Sequence, residues 1–137
     1  MSQVVTNNEA NTGSPGKVLN TILWLLQIGL ALLFLMAGFS KLSGDPQMVG
    51  MFDKIGVGQW FRYLTGALEV LGAILLLIPR TSGVGGLLLV GVMMGAILTH
   101  LFIVGGSPLV PVVLLVVASA IAWSRRARTA NLLFGTR

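Results

Sequence analysis

One stretch of the chain decides which folds are open to it: Thr65-Gly66-Ala67-Leu68-Glu69-Val70-Leu71-Gly72-Ala73. The stretch lies inside a long apolar segment and holds a single carboxylate, Glu69, with a glycine three residues away on either side. A charged side chain at the centre of a membrane-spanning helix is unfavourable by roughly 2.5–3.5 kcal/mol on insertion scales. Glu69 therefore requires a basic partner, a water-filled cavity or a proton, and Lys41 and His100 are the two candidate partners.

The composition of the whole chain favours a membrane protein. Of the 137 residues, 55% are hydrophobic and only 9% are charged, with a mean hydropathy of +0.90. Soluble domains carry about 25% charged residues, so a water-soluble fold is disfavoured. The net charge is +5, but four of the nine basic residues follow the last apolar segment. That distribution is typical of the positive-inside rule, so we expect the lipid bilayer as a partner and no nucleic acid.

Several chemistries are disfavoured by the residues that the chain lacks. It contains no cysteine, which removes disulfides, thiolate metal sites and cysteine-ligated iron–sulfur clusters. It also removes a four-helix thiol oxidoreductase of the kind that passes electrons from disulfides to quinone. One histidine near one glutamate is not a metal motif, and neither a phosphate loop nor a Ser/His/Asp system is present. We therefore expect no metal site, no intrinsic cofactor and no hydrolase.

The hydrophobic segments predict an all-α integral membrane four-helix bundle over residues 18–124. The predicted spans are residues 18–42, 60–78, 83–104 and 108–123. A short interfacial helix is predicted at Met48–Ile55, with an apolar side. Residues 1–17 are polar and predict a flexible N-terminal tail, and residues 125–137 predict a basic C-terminal tail. With both termini on one side, six basic residues face three, which predicts an N-in, C-in orientation.

Polar and small residues recur on one face of each of the first two spans. On the first span, Gln27 and Lys41 share a face, and Gln27 is expected to form an interhelical hydrogen bond. The second span carries Glu69 in a similar stripe, and the third span ends in Thr99-His100. The candidates for ligand binding or proton relay are Glu69, Lys41, His100, Thr65, Thr99 and Arg62. The glycines expected to pack between helices are Gly38, Gly66, Gly72, Gly91 and Gly95.

Structural alternatives exist for each polar candidate. Glu69 can be a structural carboxyl paired with Lys41, Arg62 or His100, or it can exchange protons or bind a ligand. Lys41 can extend to the membrane surface from the helix end. His100 can serve as a helix-to-helix hydrogen bond or as a proton relay. The catalytic residues, if the chain has any, stay unassigned at this point.

The order and spacing of four motifs resemble those of the DoxX-like family of small bacterial four-helix membrane proteins. The motifs are Phe34-Leu35-Met36-Ala37-Gly38-Phe39-Ser40-Lys41-Leu42, Leu64-Thr65-Gly66-Ala67-Leu68-Glu69-Val70-Leu71-Gly72, Pro79-Arg80 and Ala96-Ile97-Leu98-Thr99-His100-Leu101. The resemblance implies a multi-pass protein of the bacterial inner (cytoplasmic) membrane. It also implies an association with quinone-linked redox systems, since family members have been linked to a quinone-reducing thiosulfate oxidoreductase and to oxidative-stress complexes.

Three functions are compatible with these observations, and whether the chain is an enzyme stays open. The first is a membrane subunit or accessory of a quinone-linked redox system, which would bind a quinone or another lipid-like ligand near Glu69 and take electrons from a redox partner protein. The second is a non-catalytic membrane binding or assembly module, in which a homo-oligomer is one outcome. The third is a small proton-coupled transporter that uses Glu69 as its coupling site.

Overall fold

A computed structural model describes residues 16–135, and every regular element in that range is helical. The predicted tail of residues 1–17 lies outside the described residues except for Gly16 and Lys17. The six α-helices are α1 Lys17–Ser43, α2 Pro46–Ile55, α3 Trp60–Leu77, α4 Ser82–Thr99, α5 Leu109–Ser124 and α6 Arg126–Phe134. A 3₁₀ turn, Pro79–Thr81, joins α3 to α4, and a π-helical turn, His100–Val104, continues α4.

The helix ends follow from local sequence. Gly44 ends α1 in a left-handed conformation, with φ of 80°, and its N–H donates to the Ser40 carbonyl. Asp45 then caps α2 by accepting from the Gln47 N–H, and Pro46 occupies the first helical position. α3 ends before Pro79, because a residue that precedes proline is disfavoured in a helix. The helix predicted over Met48–Ile55 is confirmed, two residues longer at its start.

Three helical segments are long and apolar enough to span a membrane by themselves: α1, α3 and the continuous segment Pro79–Val104. The pair α5 and α6 meets the same criterion only as one span bent by 62°. Their outward surfaces are apolar, and the described part of the chain contains no strand. The structure is therefore an all-α membrane bundle of three to four spans, as the sequence predicts. The predicted basic tail contains the helix α6.

The bundle has two ends. The start of α1, the α3–α4 connection and the end of α5 meet at one end, which we call the α6 end. The end of α1, α2, the start of α3 and the π-helical turn meet at the other, which we call the α2 end. Both described termini thus lie at the same end. The N-in, C-in orientation stays a prediction.

Glycines determine how closely the helices approach. A side chain on Gly38 would lie 2.8 Å from the Gly66 carbonyl oxygen, so α1 and α3 meet backbone to backbone. Gly85 faces the α3 backbone, and Gly86 faces Ala118 and Ala122 of α5. The neighbours are therefore α1–α3, α3–α4 and α4–α5, while α1 and α5 touch more sparsely. The core between these helices includes Leu30, Ala31, Phe34, Ala73, Leu76, Leu89, Ala118 and Ile121.

The packing role predicted for Gly91 and Gly95 is wrong for this chain. A side chain on either glycine would meet no atom within 4 Å. Both glycines line a cavity instead, so their lack of a side chain leaves space rather than admitting a neighbouring helix. The close contacts of α4 come instead from Gly85 and Gly86, whose packing was not predicted.

Candidate functional site

Lys41 and Glu69 form an ion pair between α1 and α3. The Lys41 Nζ lies 2.8 Å from the Glu69 Oε1, with exposed side-chain fractions of 15% and 2%. Apart from this ammonium, Oε1 has no hydrogen-bond partner in the described residues. Lys41 stands in the last turn of α1, where the helix dipole favours a cation. The pair offsets part of the unfavourable free energy of placing a carboxylate among apolar helices.

The close approach of α1 and α3 brings this pair together. A side chain on Gly66 would lie 3.0 Å from the Lys41 Cβ and 3.1 Å from the Gly38 carbonyl oxygen. Gly66 and Glu69 stand three residues apart on α3, hence on neighbouring positions of one face. Small residues at this crossing therefore bring a lysine on one helix within ion-pair distance of a carboxylate on the next.

The ion pair borders a cavity of about 480 Å³. That volume falls within the range of roughly 300–1,000 Å³ that is usual for small-molecule sites. The wall is mostly apolar and includes side chains from α1, α3, α4 and α5, and α2 adds Met48, Met51, Phe52 and Ile55. The apolar side predicted for the interfacial helix thus faces the cavity at the α2 end.

Five polar candidates from the sequence lie on this cavity: Lys41, Thr65, Glu69, Thr99 and His100. The Thr65 hydroxyl donates to the Phe61 carbonyl at 2.8 Å, and the Thr99 hydroxyl donates to the Gly95 carbonyl at 2.8 Å. The structure therefore brings residues from α1, α3 and α4 to one space. Their predicted part in ligand binding or proton relay stays a prediction.

His100 occupies the start of the π-helical turn. Its Nδ1 lies 3.0 Å from the Ala96 carbonyl oxygen. A carbonyl can only accept, so Nδ1 carries a proton, and in the neutral ring Nε2 keeps a lone pair. The Gly105 N–H donates to the His100 carbonyl at 3.0 Å, which is the i→i+5 bond of a π turn. Such turns occur often at functional sites, because they alter the direction of the side chains that follow.

Arg62 takes a structural position rather than the predicted ligand position. Its side chain is buried but is not among the residues that line the cavity. Its Nε donates to the Gln59 Oε1 at 2.7 Å, its Nη1 donates to the Lys41 carbonyl, and its guanidinium lies over the Tyr63 ring. Arg62 thus satisfies a carbonyl at the end of α1. It holds the backbone of Lys41 in place from outside the cavity.

A second buried polar cluster lies at the α6 end and centres on Arg125, which is 1% exposed. The Arg125 Nε donates to the Gln27 Oε1 at 2.8 Å, and its Nη1 donates to the Asn20 Oδ1 at 2.7 Å. Gln27 in turn donates to the Leu76 carbonyl at 2.8 Å, so the predicted interhelical hydrogen bond of Gln27 is confirmed. These contacts tie α1, α3 and the end of α5 together.

Arg128 extends the same cluster to the α3–α4 connection. Its Nη1 donates to the Pro79 carbonyl at 3.1 Å and to the Ser82 hydroxyl at 3.3 Å. The sequence predicts these arginines only as cations of the basic tail, so the cluster was not predicted. The detectable signal was Gln27, a buried amide that needs partners on another element.

Metal binding finds no support in the described part of the chain. Residues 16–135 contain no group of three or more His, Cys, Asp or Glu side chains close enough to hold a metal ion. A further groove of about 400 Å³ lies between α4, α5 and α6, with Arg126 on its wall but neither a carboxylate nor an imidazole. The cavity beside Glu69 is therefore the candidate site, since it combines space with groups that donate, accept and exchange protons.

Comparison with known proteins gives a family match over most of the chain. The family model described as the DoxX-like family matches residues 25–122. The chain is also similar to CatD of Bacillus subtilis (strain 168), a protein provisionally named an oxidoreductase, with 28% identity over 75 residues. The match covers 55% of this chain and 56% of CatD, so it spans little more than half of either protein. No solved structure gives a significant match.

Proposed function

The chain belongs to the DoxX-like family, and from that premise we propose that it is a membrane subunit or accessory of a quinone-linked redox system. The proposed ligand is a lipid-soluble quinone that enters the cavity beside Glu69 from the bilayer. The oxidoreductase name of CatD, at 28% identity, supports a redox role of this general kind. The proposed location is the bacterial inner membrane, with the α6 end on the cytoplasmic side.

The observation that carries the proposal is the ion pair on the wall of an apolar cavity. A quinone headgroup is a flat ring with two carbonyl oxygens, so its site requires apolar walls and a few polar groups. The cavity offers both, with Phe34, Phe52 and Phe61 near the Lys41–Glu69 pair. Its volume of about 480 Å³ is sufficient for a ring of this size.

Each polar group has a distinct role in this proposal. The Lys41 ammonium has further N–H groups beyond the one directed at Glu69, and one of them would donate to a quinone oxygen. The Glu69 carboxylate would exchange protons with the ligand. His100 would be the second group on the wall that can exchange protons. Since the chain has no cysteine and one histidine, we assign the supply of electrons to a redox partner protein.

Titration of decylubiquinone into the purified full chain in lipid nanodiscs tests the proposal. We expect saturable binding, and we expect Lys41→Gln to weaken it by about tenfold, the loss of one charge-assisted hydrogen bond. Glu69→Gln should weaken it as well, because the carboxylate holds the Lys41 ammonium at the cavity. Lys17→Gln is the matched control, because Lys17 is an exposed lysine at the opposite end of α1. Binding that does not saturate above the level of empty nanodiscs would defeat the proposal.

An assembly module is the second candidate, and the position of the ion pair favours it. Lys41 and Glu69 flank the closest contact of α1 and α3, so the ion pair would set the position of one helix relative to the other along their axes. In that case Glu69→Gln reduces stability or the yield of a complex while ligand binding stays unchanged. The titration above separates the two functions, because only the first predicts a change in affinity.

A further inference from the structure

We propose that the cavity binds the reduced form of its ligand, a hydroquinone, more tightly than the oxidised quinone. The inference rests on the proposed function, since it takes a quinone-class ligand as its premise. It concerns which redox form the wall recognises. The two forms differ in hydrogen bonding: a quinone presents two acceptors, whereas a hydroquinone presents two hydroxyl groups that donate.

The threonines on the wall can only accept from a ligand. The Thr65 hydroxyl proton is directed at the Phe61 carbonyl, and the Thr99 hydroxyl proton is directed at the Gly95 carbonyl, both at 2.8 Å. A hydroxyl has one proton and two lone pairs. With the proton committed to the helix backbone, each threonine has lone pairs left for the cavity.

His100 and Glu69 add further acceptors. The Nδ1 proton of His100 is directed at the Ala96 carbonyl, 3.0 Å away, so in the neutral ring Nε2 offers a lone pair. The Glu69 carboxylate has only acceptor sites in its ionised form, and Lys41 engages one of its oxygens. Four side chains therefore present acceptors to the same space.

Donors on the wall are fewer. Among the described residues that line the cavity, Lys41 is the one side chain with N–H or O–H groups not already directed at the backbone. Its ammonium lies 2.8 Å from the Glu69 carboxylate, so it is partly committed. Apart from Lys41 and the four acceptor side chains, the lining side chains are hydrocarbon or thioether. A quinone would therefore compete for one donor, while a hydroquinone would find several acceptors.

The acceptors stand on two elements. Thr65 and Glu69 are one turn apart on α3, and Thr99 and His100 stand where α4 passes into the π-helical turn. The two hydroxyl groups of a hydroquinone stand on opposite sides of the ring. One hydroxyl would donate to the acceptors on α3, and the other to the acceptors at the end of α4. Tighter binding of the reduced form raises the midpoint potential of the bound couple, by about 30 mV for each tenfold difference in affinity.

The experiment compares the two redox forms of one probe. Decylubiquinone and decylubiquinol are titrated separately, without oxygen, into the full chain in nanodiscs, with empty nanodiscs as the reference for partition into lipid. We expect the quinol to bind about tenfold more tightly, which is the usual effect of a charge-assisted hydrogen bond. Equal affinities, or tighter binding of the quinone, overturn the inference and leave the proposed function standing. Binding of neither form defeats the proposed function itself.

A matched pair of threonine variants assigns the preference to the wall. Thr99→Val removes one acceptor, and we expect it to weaken quinol binding about fivefold and to leave quinone binding unchanged. Thr21→Val is the control: its hydroxyl also donates one turn back, to the Lys17 carbonyl at 3.0 Å, but it lies at the other end of the bundle. If Thr99→Val weakens both redox forms equally, or if Thr21→Val has the same effect, the acceptor argument is wrong.

Discussion

The two ends of the bundle contain buried polar clusters of similar make-up and different surroundings. At the α2 end, Lys41 pairs with Glu69 across α1 and α3 beside a cavity of about 480 Å³. At the α6 end, Arg125 donates to Gln27 and Asn20, and none of these three residues lines the groove of about 400 Å³ beside α6. Both clusters satisfy polar groups that apolar helices would otherwise leave unpaired. The first cluster lines a cavity with room for a ligand, whereas Arg125, Gln27 and Asn20 line neither of the two cavities described above.

This difference separates a candidate site from a structural clamp. Burial and charge are common to the two clusters, so neither property distinguishes them. Space does, together with the kind of group left over: the α6 end keeps an unpartnered donor, the Arg125 Nη2, whereas the α2 end keeps acceptors. At the α6 end the Gln27 amide is engaged on both of its polar atoms, by Arg125 and by the Leu76 carbonyl. At the α2 end, Glu69 and His100 both line the cavity, and each makes one polar side-chain contact with the described residues.

The largest effect is expected from Gln27→Leu. The substitution leaves the buried Arg125 guanidinium with one acceptor fewer and removes the donor to the Leu76 carbonyl. We expect it to lower the free energy of unfolding by about 3 kcal/mol, since a buried charge loses a partner. Thermal unfolding in detergent, followed by circular dichroism, measures the loss. Gln47→Leu, on the exposed surface of α2, is the control and should change little.

The next largest effect tests which glycines pack. We expect Gly85→Ala to destabilise the bundle by about 2 kcal/mol, because overpacking a tight contact is costly. Its new methyl group would lie 2.7 Å from the Leu76 backbone nitrogen. Gly91→Ala, in the same helix, should cause no loss, since nothing lies within 4 Å of that position. The same unfolding assay compares them, and a greater loss for Gly91→Ala would contradict the packing described above.

These glycines also show where sequence-based prediction reaches its limit. The spacing of Gly91 and Gly95 places both on one face of a helix, and small residues on one face are typical of helix contacts. The spacing does not tell which face meets a neighbouring helix. That depends on the rotation of α4 in the bundle, and α4 is apolar all round, so its pattern gives no preferred inner face.

Other features were predictable because their signal is local. The apolar segments determine the membrane bundle, and Asp45-Pro46 with Gly56 marks the bounds of α2. A lone carboxylate in such a segment indicates a polar partner, and Glu69 has one. The positions of Arg62 and Arg125 were not predictable, because their partners include a carbonyl at a helix end and amides distant in sequence. Composition alone assigns such arginines to the membrane surface.

A smaller effect on stability is expected at the α2 end. Glu69→Gln removes the charge of the ion pair, but Lys41 stands in the last turn of α1 and its long side chain can extend toward the membrane surface. We therefore expect a loss of about 1 kcal/mol, less than for Gln27→Leu. A cycle with Lys41→Gln measures the coupling of the two residues in the unfolding assay. A loss as large as that of Gln27→Leu would mean that the ion pair, too, is mainly a clamp.

The smallest effect is expected from Lys54→Gln, and it separates stability from access to the cavity. The Lys54 Nζ donates to the Val104 carbonyl at 3.4 Å, which connects α2 to the π-helical turn. The contact is exposed, so the free energy of unfolding should change by less than about 0.5 kcal/mol. Since α2 supplies four side chains to the cavity wall, the loss of this contact should let α2 move away from the cavity more easily. We expect a bound quinone to dissociate about twofold faster, because changes in affinity lie mostly in the dissociation rate. Stopped-flow displacement from nanodiscs measures this rate, with Lys17→Gln as the charge-matched control. An unchanged rate would indicate that the ligand leaves between α1 and α5, where the helices touch more sparsely, rather than past α2.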